Sequence, residues 1–281
     1  MQQVSYRFVI GTFECLAIWD GASTLPWNTL FGNVASTDLE RVLRKQIPIG
    51  EQVTLPSTCL VISTNQHRVL IETGRGAGRL ASPTPPGRLL QTLQQEGILP
   101  EEIDTVILSH AHPDHSGGTI TASGQVAFPQ ARYVLWRPEW EFWAAQPDLE
   151  ARQMQWMVTA ALQALRPIQP QFSLVERESE IVPGIRGIAA PGHSAGHLAL
   201  SICSEGEQLL YLADAVLHPL QFEHPEWISP LDLRPEQAVA SRLRLLDRAV
   251  AEQALVHGYH LPFPGLGRAI PQGDAWRWEP L

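Results

Sequence analysis

Short apolar runs broken by polar turns dominate the chain from residue 58 to residue 108, and this pattern predicts strands more readily than helices. Thr58 to Ser63 and Arg68 to Glu72 are β-rich and are separated by Thr64-Asn65-Gln66-His67, the pattern of a hairpin. Leu89, Leu90 and Leu93 share one face of a helix over Arg88 to Glu96, with Pro85-Pro86-Gly87 before it and Gly97 after it. Ile103 to Leu108 reads as a buried strand that runs straight into His110. Upstream, one early strand is expected over Phe8 to Trp19, followed by a loop-rich stretch to about residue 55.

Downstream, Arg132 to Trp136 predicts a strand, and Glu139 to Gln146 and Leu149 to Leu165 predict helices. Ile185 to Ala189, Leu198 to Cys203 and Gln208 to Leu212 are strands. A helix from Pro235 to about Ala254 follows, with Pro235 suited to its first turn, and Leu255 to His257 is a last short strand. Strands clustered in each half, with helices between them, predict an α/β chain of two packed sheets covered outside by helices. No linker or low-complexity segment divides it, so residues 1–281 read as one domain.

Composition narrows the classes. With 44% hydrophobic and 17% charged residues, the chain has ample core material and is not intrinsically disordered. Twenty Lys+Arg against 29 Asp+Glu give a formal charge of −9, and no basic block stands out, so nucleic acid is an unexpected partner. The run from Phe8 to Trp19 is too short to span a membrane and is interrupted by Glu14, and the N-terminus lacks a leader pattern. A cytoplasmic protein is expected. Cys15, Cys59 and Cys203 each sit in an apolar run and read as small buried hydrophobes without a disulfide framework.

The histidines change the picture. Five of the ten occupy two short segments. The first is His110-Ala111-His112-Pro113-Asp114-His115, directly after a buried strand. One histidine on such a loop is ordinarily a solvated or hydrogen-bonded residue, but four imidazole or carboxylate groups in six residues suit a borderline-soft divalent metal. Ser116-Gly117-Gly118 can then turn the chain tightly. The second segment is Pro191-Gly192-His193-Ser194-Ala195-Gly196-His197, again at a strand end. Asp214 follows the strand Leu209-Leu210-Tyr211-Leu212-Ala213, and His257-Gly258-Tyr259-His260 follows another. His197 and His257 read more readily as structural hydrogen-bonding residues than as ligands.

With its H-x-H-x-D-H segment, Gly-His segment, strand-terminal Asp and late His in order over roughly residues 55–266, the sequence resembles the metallo-β-lactamase-fold hydrolases. The resemblance implies an αββα sandwich of two mixed sheets flanked by helices. It also implies two divalent metal ions, with zinc expected and manganese, cobalt or iron compatible. One metal would take His110, His112 and His193; the other would take Asp114, His115 and His260, with Asp214 bridging both. Asp114 and Asp214 are then the catalytic carboxylates, Asp114 orienting the nucleophile or passing its proton. The nearest flavour is the methyl parathion hydrolase-like branch, through His260-Leu261-Pro262-Phe263-Pro264-Gly265 and the aromatic pair Phe142-Trp143. Two departures stand out: Glu72 replaces the usual Asp, and Leu217 stands where related lactonases carry a Tyr.

Two close divalent ions can share a water and generate hydroxide at neutral pH, which suits esters, lactones or organophosphate triesters with hydrophobic groups. Lacking a hydroxyl at Leu217, lactones need not be the best substrates, and aryl esters and phosphotriesters are expected to turn over. Trp143 is expected to line an apolar substrate pocket, with Phe222 and Phe263 as lesser candidates and Trp140 and Trp156 in the core. Arg75, Arg79 and Arg88 fit an anion site or plain solvated arginines equally well. Persulfide dioxygenase or glyoxalase II-like chemistry, or a non-catalytic metal-binding module, is the alternative; the complete ligand series speaks against the first and the last. The expected partner is a small hydrophobic substrate, with no membrane, and a homodimer is left open.

Overall fold

The computed structural model describes residues 3–43, 52–78, 85–150 and 154–281. The first sheet runs in sequence order through β1 (Ser5–Ile10), β2 (Phe13–Pro26), β3 (Gln52–Ser63), β4 (Arg68–Ile71), β5 (Thr105–Ile107), β6 (Arg132–Trp136) and β7 (Phe172–Val175). Its first four strands pair antiparallel and the rest parallel. The second sheet contains β8 (Glu180–Val182), β9 (Ile185–Ala189), β10 (Leu198–Ser204), β11 (Glu207–Tyr211), β12 (Leu255–His257), β13 (Leu266–Gln272) and β14 (Ala275–Pro280). Only its β11/β12 pair is parallel.

The sheets face each other across a core in which Leu60, Ile62, Val69, Ile71 and Ile107 meet Ile185, Leu198, Leu200, Ile202 and Leu209. Behind the first sheet, the helices Leu89–Gln95, Arg137–Ala144 and Gln155–Leu165 close a second apolar layer. Behind the second, Pro235–Ala251 packs Leu245, Leu246 and Ala249 onto Ile188, Leu210 and Val256. The molecule is the expected αββα sandwich of two mixed sheets flanked by helices.

Several expected elements are redrawn. The single strand over Phe8 to Trp19 is a hairpin, because Gly11 turns the chain at φ +55°, where an added Cβ would lie 2.3 Å from the Ser204 carbonyl. The described residues before residue 55 carry elements where loop was expected: β2 extends to Pro26, Ser36–Leu43 is a helix, and β3 begins at Gln52. The helix expected from Leu149 begins only at Gln155, with residues 151–153 outside the described set. Cys15 and Cys59 are buried, whereas Cys203 is exposed on β10. Arg75 is buried rather than solvated. Its guanidinium donates to Ser57, Ala22 and Ser23, and its backbone N–H to Asp20 at 2.8 Å. Arg79 lies outside the described residues. No helix among those described is long and apolar enough to cross a membrane.

Strand direction places the site. β4, β5, β9, β11 and β12 all deliver their C-terminal ends to one edge of the sandwich, so the loops after them converge there, as loops at carboxyl strand ends do in parallel arrays.

Candidate metal centre

The loop after β5 carries His110 and His112 and then a single helical turn, Pro113–Ser116, which presents Asp114 and His115. Pro113 opens the turn at a position where no N–H is needed, and the Ser116 hydroxyl donates to the carbonyls of Ala111 and His112. Gly117 and Gly118 let this loop press against Thr73 to Arg75; a Cβ on Gly118 would fall 2.0 Å from the Thr73 carbonyl. His193 arrives from the loop after β9, Asp214 from the short turn after β11, and His260 from the loop after β12.

These seven side chains form two adjoining groups, His110, His112, His193 and Asp214 in one, Asp114, His115 and His260 in the other. Asp214 lies between them. Its Oδ2 is 3.2 Å from His193 Nε2, 3.3 Å from His260 Nε2 and 3.9 Å from His110 Nε2, while its Oδ1 is 3.2 Å from His115 Nε2. His260 Nε2 is also 3.5 Å from Asp114 Oδ2. His110 Nε2, His115 Nε2 and Asp214 Oδ1 are buried without a hydrogen bond, a costly state that a bound cation relieves. A mixed nitrogen and oxygen set of this kind suits zinc.

Outer contacts aim the rings. His193 Nδ1 is 2.9 Å from Asp232, His260 Nδ1 is 2.7 Å from the Pro56 carbonyl, and His110 Nδ1 is 2.9 Å from the Ser109 hydroxyl. Glu72, the departure noted in the sequence, occupies the corresponding place for His115, with its Oε1 at 3.4 Å from Nδ1. Glu72 also accepts from the Tyr211 hydroxyl at 3.0 Å and from the Ser109 N–H. The Glu72 backbone stands at φ +63°, and Ala213, just before Asp214, at φ +46°. Left-handed backbone at a residue with a Cβ costs about 1–2 kcal/mol, so both positions concentrate strain beside the candidate donors.

Charge follows the same geometry. Burial lowers the pKa of His110 and His112 well below the ordinary imidazole value, and neighbouring imidazoles add to this. Burial acts the same way on His193, but the carboxylates of Asp214 and Asp232 outweigh it and carry its pKa up to about 9. Asp214 is held well below its usual value, since the surrounding imidazoles outweigh its burial.

Further residues hold the loops together, and among them Glu139 and Tyr259 carried no signal in the sequence while His197 was expected to be structural. Glu139, wholly buried, accepts from Ala111 N at 3.0 Å, Ser194 Oγ and Gly196 N at 2.7 Å each, and Trp143 Nε1 at 2.7 Å. His197 Nε2 accepts the Asp214 N–H at 3.0 Å, which gives this histidine a structural part in fixing Asp214. The His115 ring lies 3.9 Å from that of Tyr259, whose hydroxyl donates to the Asp114 carbonyl. His257 stacks on Tyr211, 5.4 Å between centroids, and neither ring nitrogen makes a full hydrogen bond.

A cavity of about 240 Å³ opens onto His112, Asp114, His193, Asp214 and His260, with Leu25, Leu55, Met154, Met157, Leu217 and Leu231 as its apolar wall. The aromatic expectations are corrected here. Trp143 is fully buried, with its ring edge-on to His112 and its N–H spent on Glu139, so it cannot line the cavity. Phe222 is likewise buried, packed on Trp278 behind the second sheet. Trp156, expected in the core, is 36% exposed and lines the cavity. Phe263 lines an adjacent cavity with Trp19 and His218, also bordered by His260.

The chain belongs to the metallo-beta-lactamase superfamily, whose sequence profile it matches over residues 53–260. It is 28% identical over 228 residues to an N-acyl homoserine lactonase of Bacillus cereus, covering 75% of this chain and 83% of that one. Among solved structures it resembles AidC, a dizinc quorum-quenching lactonase in complex with a product, at a TM-score of 0.91 and 26% identity, covering 100% of this chain and 99% of that one. It also resembles the hydrolase AbOPH of the beta lactamase superfamily at a TM-score of 0.90 and 25% identity, covering 100% and 98% of the two chains.

Proposed function

We propose that the chain is a dizinc hydrolase that opens small lactones bearing a hydrophobic group. The observation that carries this reading is the convergence of seven donors around the buried Asp214 at the floor of an apolar cavity. His110, His112 and His193 would hold one ion and Asp114, His115 and His260 the other, with Asp214 placed between the two groups to serve both. Lactonase relatives support the substrate class. Two divalent ions held there would supply a water of lowered pKa at neutral pH and Lewis-acid polarisation of a carbonyl.

The chain's own residues do the rest. Asp114 is the least buried of the seven donors and faces the cavity, so it orients the attacking water, takes its proton and returns it to the leaving oxygen. Leu25, Leu55, Met154 and Met157 exclude water from the acyl group and hold it by apolar contact. Aryl esters and phosphotriesters form the second substrate class, favoured by the absence of a hydroxyl at Leu217, because their leaving groups depend less on a protein acid.

The test is elemental analysis of the purified protein together with an aliphatic lactone, aryl ester, phosphotriester and glutathione thioester panel. Two zinc ions per chain and lactone turnover are expected. A single iron, or turnover confined to the thioester, would replace this reading with another chemistry of the same fold.

A further inference from the structure

Two cavities share His260 in their walls, and the second adds Thr54 and His218 to an otherwise apolar and aromatic lining. One is the apolar cavity over the candidate metal donors. The other, about 460 Å³, is bordered by Trp19, Thr54, Pro56, His218 and Phe263. A substrate whose acyl part fills the cavity over the donors would place its leaving oxygen toward the second cavity, across the shared His260. An alkoxide leaves poorly without a hydrogen-bond donor, and Leu217 offers none.

His218 is the next residue, half-buried and facing that second cavity. The Leu220 N–H donates to its Nδ1 at 3.2 Å, so the neutral ring carries its proton on Nε2. Among the described residues nothing takes up Nε2. The rings of Trp27 and Phe31 stand edge-on to the imidazole at 5.3 and 6.0 Å and fix its plane. We infer that His218 is a substrate-contacting residue, donating from Nε2 to the leaving oxygen of the lactone in place of the hydroxyl missing at Leu217. Burial lowers its pKa to about 4, so the donor at neutral pH is the uncharged imidazole. It holds the leaving oxygen by a hydrogen bond as the C–O bond breaks and keeps its own proton; the proton that neutralises the leaving oxygen is the one Asp114 takes from the attacking water.

The inference rests on the hydrolase reading and is tested on the zinc-loaded protein with two substrates sharing one acyl group, an aliphatic lactone and a p-nitrophenyl ester. His218→Phe keeps the ring volume and removes the donor; it should lower kcat/KM on the lactone about tenfold and on the aryl ester by less than about threefold. His218→Gln keeps an N–H donor and should recover most of the lactone rate. The ratio of lactone to aryl-ester rates in the unmodified protein should stay flat from about pH 5.5 to about pH 9. Equal losses on both substrates, no loss on either, or no recovery with Gln would overturn the assignment while leaving the hydrolase reading intact. An unmodified protein that turns over neither substrate would overturn both.

Discussion

Trp143 donates its indole N–H to Glu139 at 2.7 Å, and through that bond a tryptophan outside the substrate cavity reaches both histidine loops. Glu139 spans the segment between His110 and His112 through Ala111 N, and the segment after His193 through Ser194 and Gly196. A buried carboxylate held by four donors tolerates little change.

Glu139→Ala is therefore expected to loosen both loops and weaken zinc binding by about 10–100-fold, the range seen when outer-shell partners of metal ligands are removed. Trp143→Phe, which deletes one of the four bonds and keeps most of the packing, should cost less than about tenfold. Competition with a chromophoric chelator measures both. Gly196→Ala should resemble Glu139→Ala, since its Cβ would lie 2.3 Å from Glu139 N. Unchanged zinc affinity in Glu139→Ala would show that the loops hold their shape without the carboxylate.

Metal content separates the two histidines of the closing segment. His260 faces Asp214 and Asp114 and has its far nitrogen fixed by Pro56, whereas His257 points away and stacks on Tyr211. After dialysis, His260→Ala should retain about one zinc per chain and His257→Ala about two. Asp214→Ala, which removes the carboxylate shared by both groups, should lose most metal and most activity. The reverse order for the two histidines would mean that the wrong one has been taken as the donor.

Substrate affinity should follow Trp156 rather than Trp143. Trp156 lines the cavity and is partly exposed at its edge, so Trp156→Ala removes apolar contact made equally in the ground and transition states. The expected result is a KM raised about threefold to tenfold for long acyl chains with kcat nearly unchanged. Initial rates on a chain-length series decide this; a fall in kcat with constant KM would place Trp156 elsewhere in the reaction.

The site was legible in the sequence wherever its chemistry was local. His110 to His115 occupy six consecutive positions, and Asp214 and His260 each follow an apolar strand. Glu139 and Asp232 were not legible, because the loop partners of Glu139 lie 28 to 57 residues away and His193 lies 39 residues from Asp232, and a helix glutamate or a loop aspartate carries no local mark of that. The exchange of Trp143 and Trp156 has a related cause. Helical spacing says which residues share a face, but the face that meets the core is set by tertiary packing. The same holds for the fold: short apolar runs bounded by polar residues, such as Tyr133 to Trp136, were readable as strands, whereas the turn at Gly11 was hidden inside a longer apolar run. The C-terminal hairpin of β13 and β14 was not anticipated at all.

Acid stability should carry the signature of His257. Burial lowers its pKa to about 3 in the folded chain, against a smaller opposite effect of the Pro264 carbonyl, while an unfolded histidine titrates near 6.5. Below about pH 6.5 the unfolded chain takes up a proton at this position and the folded chain does not, so stability falls as pH falls. The limiting slope is about 1.4 kcal/mol per pH unit, and it persists until pH approaches the folded value. His257→Gln removes that difference. Urea unfolding of the metal-free protein at several pH values between about 7.5 and 4.5 should show the unmodified chain losing stability more steeply than the variant. Using metal-free protein keeps zinc release out of the comparison. The variant is expected to be the less stable of the two at the upper end, where the stacking on Tyr211 is lost without any protonation gain. The gap should then narrow on acidification, and two curves that stay parallel would mean that His257 is already protonated, or reached by water, in the folded chain.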